Sequence, residues 1–236
     1  MRLDLYLTTN FNIQSRNKAS ELIKSNKVKC DGQIITKPSF NVEEFHKIEL
    51  LEEDFYVSRA AYKLKYFLEE LKKFHLKDKN CLDIGSSTGG FTQILLENEV
   101  KKVTCVDVGN NQLHERIKHN PKISFFENTD IRDFTSSDLF EVVTCDVSFI
   151  SILNIIEDIN RLAFKDIIIL FKPQFEVGTN VKRDKKGVVK DLNAINIARE
   201  NFLAKTIQLN WKLIYSNYSK LQGKDGNAEE LFYFSK

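Results

Sequence analysis

No apolar run in this 236-residue chain approaches the roughly 18 residues that a membrane-spanning helix needs, which excludes a helical membrane fold. The opening stretch MRLDLYLTTNFN lacks the charged, apolar and small-residue blocks of a signal peptide, so a cytoplasmic protein is expected. Four cysteines, Cys30, Cys81, Cys105 and Cys145, lack metal-ligand spacing, and three sit in apolar strand-like runs. They read as reduced, buried thiols, and no metal site is expected. There is no internal repeat and no low-complexity tract. A net charge of +2 leaves no strong excess of either sign.

What is present is an ordinary globular composition, 42% hydrophobic and 29% charged, in a chain long enough for one sizeable core and a small accessory module. The charge is unevenly spread. Residues 1–40 carry seven Lys/Arg against three Asp/Glu, whereas residues 43–54 carry six acids against Lys47 alone. A second basic cluster, Lys182, Arg183, Lys185, Lys186 and Lys190, surrounds Asp184. Such patches are how proteins meet phosphate backbones, although a solvated lysine is about as common.

Residues 1–50 predict a small basic module. QSRNKASELIKSN is amphipathic, with Ala19, Leu22 and Ile23 on one side and Ser15 able to cap its start, and KVKCDGQIITKP alternates around Asp31-Gly32, a tight-turn dipeptide. The acidic stretch that follows supplies a last strand and a linker over 51–57. From residue 58 helices and strands alternate. SRAAYKLKYFLEELKKF carries an apolar helical stripe with Lys63 off it, one turn beyond Arg59. Strand-like runs follow at 81–84, 103–108, 123–126, 141–147, 166–171, 211–219 and 231–235, with helices at about 90–98, 111–118, 150–162 and 191–208. This predicts an α/β domain over 58–236 with a mostly parallel, doubly wound seven-stranded sheet in which one late strand runs antiparallel.

CLDIGSSTGGFTQILL is a strand, a Gly-rich turn and a helix start, the geometry in which a ligand lies against backbone N–H groups. Gly85, Gly89 and Gly90 follow neither G-x-G-x-x-G nor the Walker pattern. Asp107 ends the next strand, where a carboxylate can accept both ribose hydroxyls, and Asp130 ends a third, where it can reach an adenine amino group. Together they describe a pocket for an adenosine-containing ligand. Asp146 and Lys172 end two further strands at the same sheet edge, Glu229 begins the last, and Lys63 can project there from the leading helix. Any one of these is more often a satisfied surface pair; four around one crevice favour chemistry.

RLDLYL, QSRNKASELIKSNKVKCDG, YVSRAAYKL, LDIGSSTGGFTQILL, VDVGNNQL, CDVSFIS, LFKPQFE and GNAEELF run in order along nearly the whole chain. In these the sequence resembles the TlyA family, the hemolysin-like ribosomal RNA 2′-O-methyltransferases that carry an S4 domain. The resemblance implies an S4-like RNA-binding domain followed by a Rossmann-like class I methyltransferase domain of the FtsJ type, using S-adenosylmethionine. The family's Lys-Asp-Lys-Glu tetrad carries over onto Lys63, Asp146, Lys172 and Glu229. Its cofactor-binding positions fall on Asp83, Gly85, Ser86, Ser87, Thr88, Gly89, Gly90, Phe91, Asp107, Val108, Asp130, Ile131 and Asp146. Ser87 stands where methyltransferases more broadly show Gly.

A ribose 2′-hydroxyl must lose its proton as it attacks a methyl group held opposite its leaving group, which is work for such a tetrad. Arg2, Arg16, Lys18, Lys24, Lys27 and Arg59, with Lys182, Arg183, Lys185 and Lys186, are the expected RNA contacts. The resemblance implies a cytidine in ribosomal RNA. Family members with shorter termini act on 23S rRNA alone, and this chain's bounds beside RLDLYL and LFYFS favour the large subunit. The rival readings are a membrane-active hemolysin, a methyltransferase of small molecules and a non-catalytic RNA-binding protein. Against the first stand the lack of a span-length apolar segment, of a signal peptide and of a long amphipathic helix with a basic face, and the basic front module argues against the second.

Overall fold

A computed structural model of the chain describes residues 1–11, 13, 15–51 and 56–236; most of the expected linker, 52–55, lies outside the described residues. The chain divides into two compact units, Met1–Phe55 and Tyr56–Lys236.

In the first unit, helices α1 (Leu3–Asn10) and α2 (Arg16–Lys24) precede strands β1 (Val28–Cys30), β2 (Gln33–Ile34) and β3 (Ile48–Leu50), which form an antiparallel sheet in the order β2-β1-β3. Ser15 caps α2 by accepting a hydrogen bond from the Lys18 amide, as its position predicts. The Asp31-Gly32 turn has φ of 50° and 80°, the left-handed pair that a two-residue hairpin needs. Leu3, Leu7, Ala19, Ile23 and Val28 are wholly buried and form this unit's own core.

The second unit contains, in order, α3 (Arg59–Glu70), β4 (Asn80–Ile84), α4 (Gly90–Glu97), β5 (Lys102–Val106), α5 (Glu115–Lys118), β6 (Ile123–Phe126), β7 (Phe140–Cys145), α6 (Ile156–Leu162), β8 (Ala163–Phe171), α7 (Pro173–Glu176), α8 (Leu192–Gln208), β9 (Lys212–Tyr218) and β10 (Glu230–Ser235). The seven strands form one sheet in the order β6-β5-β4-β7-β8-β10-β9, parallel except for β10, which runs antiparallel to both neighbours. The strand order reverses on either side of β4, so a crevice opens there beyond the carboxyl ends of the strands.

The apolar runs are continuous because the strands are covered on both faces. Ile167, Ile169 and Phe171 of β8 join the cluster formed with Ile156, Ile159 and Phe202 of α6 and α8, whereas Ile168 and Leu170 join Leu64, Phe67, Phe91 and Ile94 of α3 and α4. Each such side chain contributes about 1.5–3 kcal/mol on burial. All four cysteines are buried and free, and burial pushes the Cys81, Cys105 and Cys145 thiols up. Among the described residues, no helix is long and apolar enough to cross a membrane.

Candidate active site

The two ends of the last strands meet at the crevice. Lys172 follows β8 directly, and β10 returns antiparallel with Glu230 opposite Phe171, so Glu229 arrives beside Lys172. Asp146 follows β7, the parallel neighbour of β8. Lys63, one turn into α3, completes the group. Lys63 Nζ lies 2.5 Å from Glu229 Oε2 and Lys172 Nζ lies 2.5 Å from Asp146 Oδ1. Lys63, Lys172 and Glu229 are buried, and all three act on Asp146 electrostatically. Burial raises the Asp146 carboxyl above its ordinary value, against the pull of Lys172 and then Lys63, with Glu229 adding to the rise. Two cations and two carboxylates thus neutralise one another in a nearly dry cluster.

Around them stand side chains with no periodic signal in the sequence. Lys172 Nζ donates to Ser148 Oγ at 2.9 Å, Gln174 Nε2 donates to Glu229 Oε1 at 3.5 Å, and Gly223 lies so close to Glu229 that a Cβ there would sit 2.5 Å from Oε1. Ser148 and Gln174 are each two residues from a tetrad member, and that adjacency is the one clue the sequence offers.

Beside the tetrad a cleft of about 290 Å³ is lined by Gly85, Ser87, Asp107, Val108, Asp130, Ile131 and Asp146. Asp107 Oδ2 accepts from the Ser87 amide and Oδ1 from the Gly109 amide, both at 2.7 Å, so each oxygen retains acceptor capacity toward the cleft. A second cavity shares Gly85, Ser87, Asp146 and Ser148 with the first and continues past Ser86, Thr88, Gly90 and Phe91 to Arg59, Lys172 and Lys224. Ser86 is 4% exposed and its Oγ has no hydrogen-bond partner. Phe149, 92% exposed with φ of 67°, lines the first cavity and lies against Phe175 with ring centroids 5.2 Å apart.

Several expected site residues are placed otherwise. Asp83 lies beneath the cleft, not on its wall: wholly buried, it accepts from Thr92 Oγ1 at 2.6 Å and Thr144 Oγ1 at 2.8 Å, tying α4 to β7. Gly89, at φ 91°, faces Ile117 and Leu113. The Asp130 carboxylate lines the cleft but is engaged by Arg132, whose Nη2 and Nε lie 2.6 and 2.9 Å away, which holds it below the usual carboxylate range. The Arg183 guanidinium donates to the carbonyls of Val181, Gln174 and Gly178 and braces its own loop. Lys182, Lys185, Lys186 and Lys24 are exposed. Lys27 is half-buried, Lys18 pairs with Glu21 at 3.3 Å, and Arg59 donates to the Gln222 carbonyl at 3.3 Å. Arg2 and Arg16 converge on one carboxylate, that of Asp4.

Sheet order, cleft and tetrad define a methyltransferase of the class that pairs a seven-stranded α/β domain with a small front module. Residues 56–236 match the FtsJ-like methyltransferase family and residues 1–48 the S4 domain. The chain is 50% identical over 256 residues, and over the full length of both proteins, to a 23S rRNA (cytidine-2′-O)-methyltransferase TlyA of Campylobacter jejuni. It is 33% identical to a 16S/23S rRNA (cytidine-2′-O)-methyltransferase TlyA of Mycobacterium tuberculosis, covering 97% of this chain and 87% of the relative. A solved structure from Streptococcus thermophilus, provisionally described as a hemolysin, superposes with a TM-score of 0.73 at 27% identity, covering 100% of this chain and 88% of the other. The chain belongs to the TlyA family of S4-domain, FtsJ-like methyltransferases.

Proposed function

We propose that this protein methylates the ribose 2′-hydroxyl of a cytidine in ribosomal RNA, using S-adenosylmethionine, with 23S rRNA of the large subunit as the preferred target and the cytoplasm as its place of action. The observation that carries this reading is the pair of buried ion pairs, Lys63–Glu229 and Lys172–Asp146, opening beside a cleft that holds Asp107. The full-length likeness to the Campylobacter jejuni TlyA supports the substrate and the subunit.

The cleft suits an adenosyl group. Asp107 offers two acceptor oxygens for ribose hydroxyls, Val108 and Ile131 offer apolar walls for a purine, and the unpaired Ser86 Oγ and the Ser87–Gly90 backbone suit the amino-acid end. When bound, S-adenosylmethionine supplies a methyl group on a cationic sulfur that departs as a neutral thioether, so the protein need not protonate the leaving group.

The remaining work falls to the tetrad. Lys172 and Lys63 present donors to the 2′-oxygen and stabilise the negative charge that grows on it. The hydroxyl proton passes to the Lys172–Asp146 pair, whose carboxyl burial makes more basic than an exposed one. Ser148 and Asp146 aim Lys172, while Glu229, held by Gln174 and backed by Gly223, aims Lys63. Phe149 offers an exposed ring against which a nucleotide turned out of its stack can rest.

The test is transfer of label from radioactive S-adenosylmethionine to purified large and small subunits, followed by digestion to nucleosides. Label in 2′-O-methylcytidine from the large subunit is expected. Equal labelling of both subunits overturns the preference, and labelling of neither overturns the reading.

A further inference from the structure

In the first unit Asp4 has no role in the chemistry above, yet its environment is unusual. It lies in the first turn of α1, and its side chain is 6% exposed. All four acceptor positions of its carboxylate are filled. Oδ1 takes Arg2 Nε at 3.0 Å and the Leu5 amide at 2.9 Å; Oδ2 takes Arg2 Nη2 at 2.9 Å and Arg16 Nη2 at 3.0 Å. The guanidinium of Arg2 holds this carboxyl far below the usual carboxylate range, with Arg16 helping and burial opposing.

The two arginines, by contrast, are 52% and 56% exposed. They come from positions 14 residues apart, Arg2 at the start of α1 and Arg16 at the start of α2, so their side chains meet where two helix N-termini also begin. One buried anion cannot neutralise two guanidinium groups, and the cluster keeps a net charge of +1. Among the described residues, the Nη1 groups of both arginines and Nε of Arg16 make none of the bonds to Asp4, and both side chains are more than half exposed. An arginine fork whose rotamer is already held loses less entropy on meeting a planar or tetrahedral oxyanion than a free one does.

We propose that Asp4 is a positioning residue that locks Arg2 and Arg16 side by side into a two-pronged clamp for a single phosphate of the RNA backbone. The inference rests on the RNA reading above but goes beyond it, because it assigns a buried acid to the binding of a polyanion.

The prediction is therefore opposite in sign to simple charge counting. Binding of the full chain to transcribed 23S rRNA is measured across a potassium chloride series for wild type, Asp4→Asn, Arg2→Gln, Arg16→Gln, the double arginine variant and its combination with Asp4→Asn. Glu44→Gln, an exposed acid of the same unit, serves as the charge control. Glu44→Gln leaves affinity unchanged or tighter. Asp4→Asn weakens it about 10-fold, the scale of one charge-assisted hydrogen-bond contact. The double arginine variant lowers the slope of log affinity against log salt by about 1, the value for one phosphate, and not by about 2. Adding Asp4→Asn to the double variant weakens binding no further, whereas a purely structural role for Asp4 would persist there.

Asp4→Asn binding as tightly as wild type, or a slope change near 2, overturns the clamp. If Asp4→Asn fails to melt cooperatively, the arginine pair decides alone: non-additive losses support one shared phosphate and additive losses refute it. Methyl transfer to ribosomal RNA that continues while Asp4→Asn binds normally removes only the clamp, whereas wild-type protein that neither binds nor methylates the RNA removes both readings.

Discussion

Lys172 and Asp83 both stand at the end of apolar strands, and the difference between them is one of solvation. Lys172 is buried against Asp146 and Ser148 at the crevice edge. Its replacement by alanine strips the buried Asp146 of its nearest cation and the 2′-oxygen of its donor, so methyl transfer should fall by about 10²–10⁴-fold. S-adenosylmethionine affinity should change little, and equilibrium dialysis with the labelled compound measures that separately. Equal transfer rates for Lys172→Ala and wild type would exclude Lys172 from the reaction. Asp83 is enclosed, and burial lifts its carboxyl to about 7 despite the hydroxyls of Thr92 and Thr144. The folded protein therefore holds this proton more tightly than the unfolded chain does. The stability due to the protonated form is complete below the unfolded value near 4 and is lost as pH rises toward 7, on the order of a few kcal/mol. Asp83→Asn stays neutral throughout, so relative to wild type it should gain stability between pH 5 and pH 8 in urea unfolding. A difference between the two proteins that does not change with pH would refute this assignment.

At the scale of elements, α3 and α4 set the position of Lys63. Gly90 opens α4, and a Cβ there would fall 2.1 Å from Ser58 Oγ, 3.0 Å from the Ala61 amide and 3.1 Å from Ala60 Cβ. The two helices can approach this closely only because the residue is glycine. Gly90→Ala should cost about 1–3 kcal/mol of stability in urea titration, the usual range for overpacking. It should also lower the methylation rate more than it weakens cofactor binding, because moving α3 shifts Lys63 from Glu229 while leaving Asp107 in place. Retained stability with unchanged rate would show that the helices adjust without moving Lys63. Element legibility followed burial. Strands covered on both faces carry unbroken buried stretches, Cys81–Ile84 in β4 and Asp166–Phe171 in β8, and their sequence runs lie within a few residues of the strand ends. The helix expected over 111–118 forms only at Glu115–Lys118, and the one expected over 150–162 begins as a short 3-10 turn before α6. The His114 amide donates to the Thr88 carbonyl and the Ile152 amide to the Glu176 carboxylate, so the chain just before each helix is held by partners outside it. The four-residue α7 carries no periodic pattern long enough to read.

For the whole molecule, each unit has its own core, and the separate clusters around Leu3 and around Leu82 give physical content to that division. A chain starting at Tyr56 should keep its affinity for S-adenosylmethionine and lose methyl transfer to ribosomal RNA. Cofactor binding and subunit labelling of the truncated protein test this, and full labelling would remove the front unit from substrate recognition.

The order of strands and the residues that close them could be read from the chain alone, since an apolar run fixes where a strand lies and its next residue must emerge at a sheet edge. That is why Asp107, Asp146, Lys172 and Glu229 could be placed together, although they lie far apart along the chain. Choosing partners needed the folded molecule. Lys63 meets Glu229 across 166 positions while Lys172 takes Asp146, and Arg132 claims Asp130. Likewise, only the packing of Thr92 and Thr144 over Asp83, and of two arginines over Asp4, shows which carboxylates are cut off from water. Ion pairing and desolvation are decided over a few ångströms by whatever the rest of the chain brings alongside, and no local pattern of residue types carries that distance.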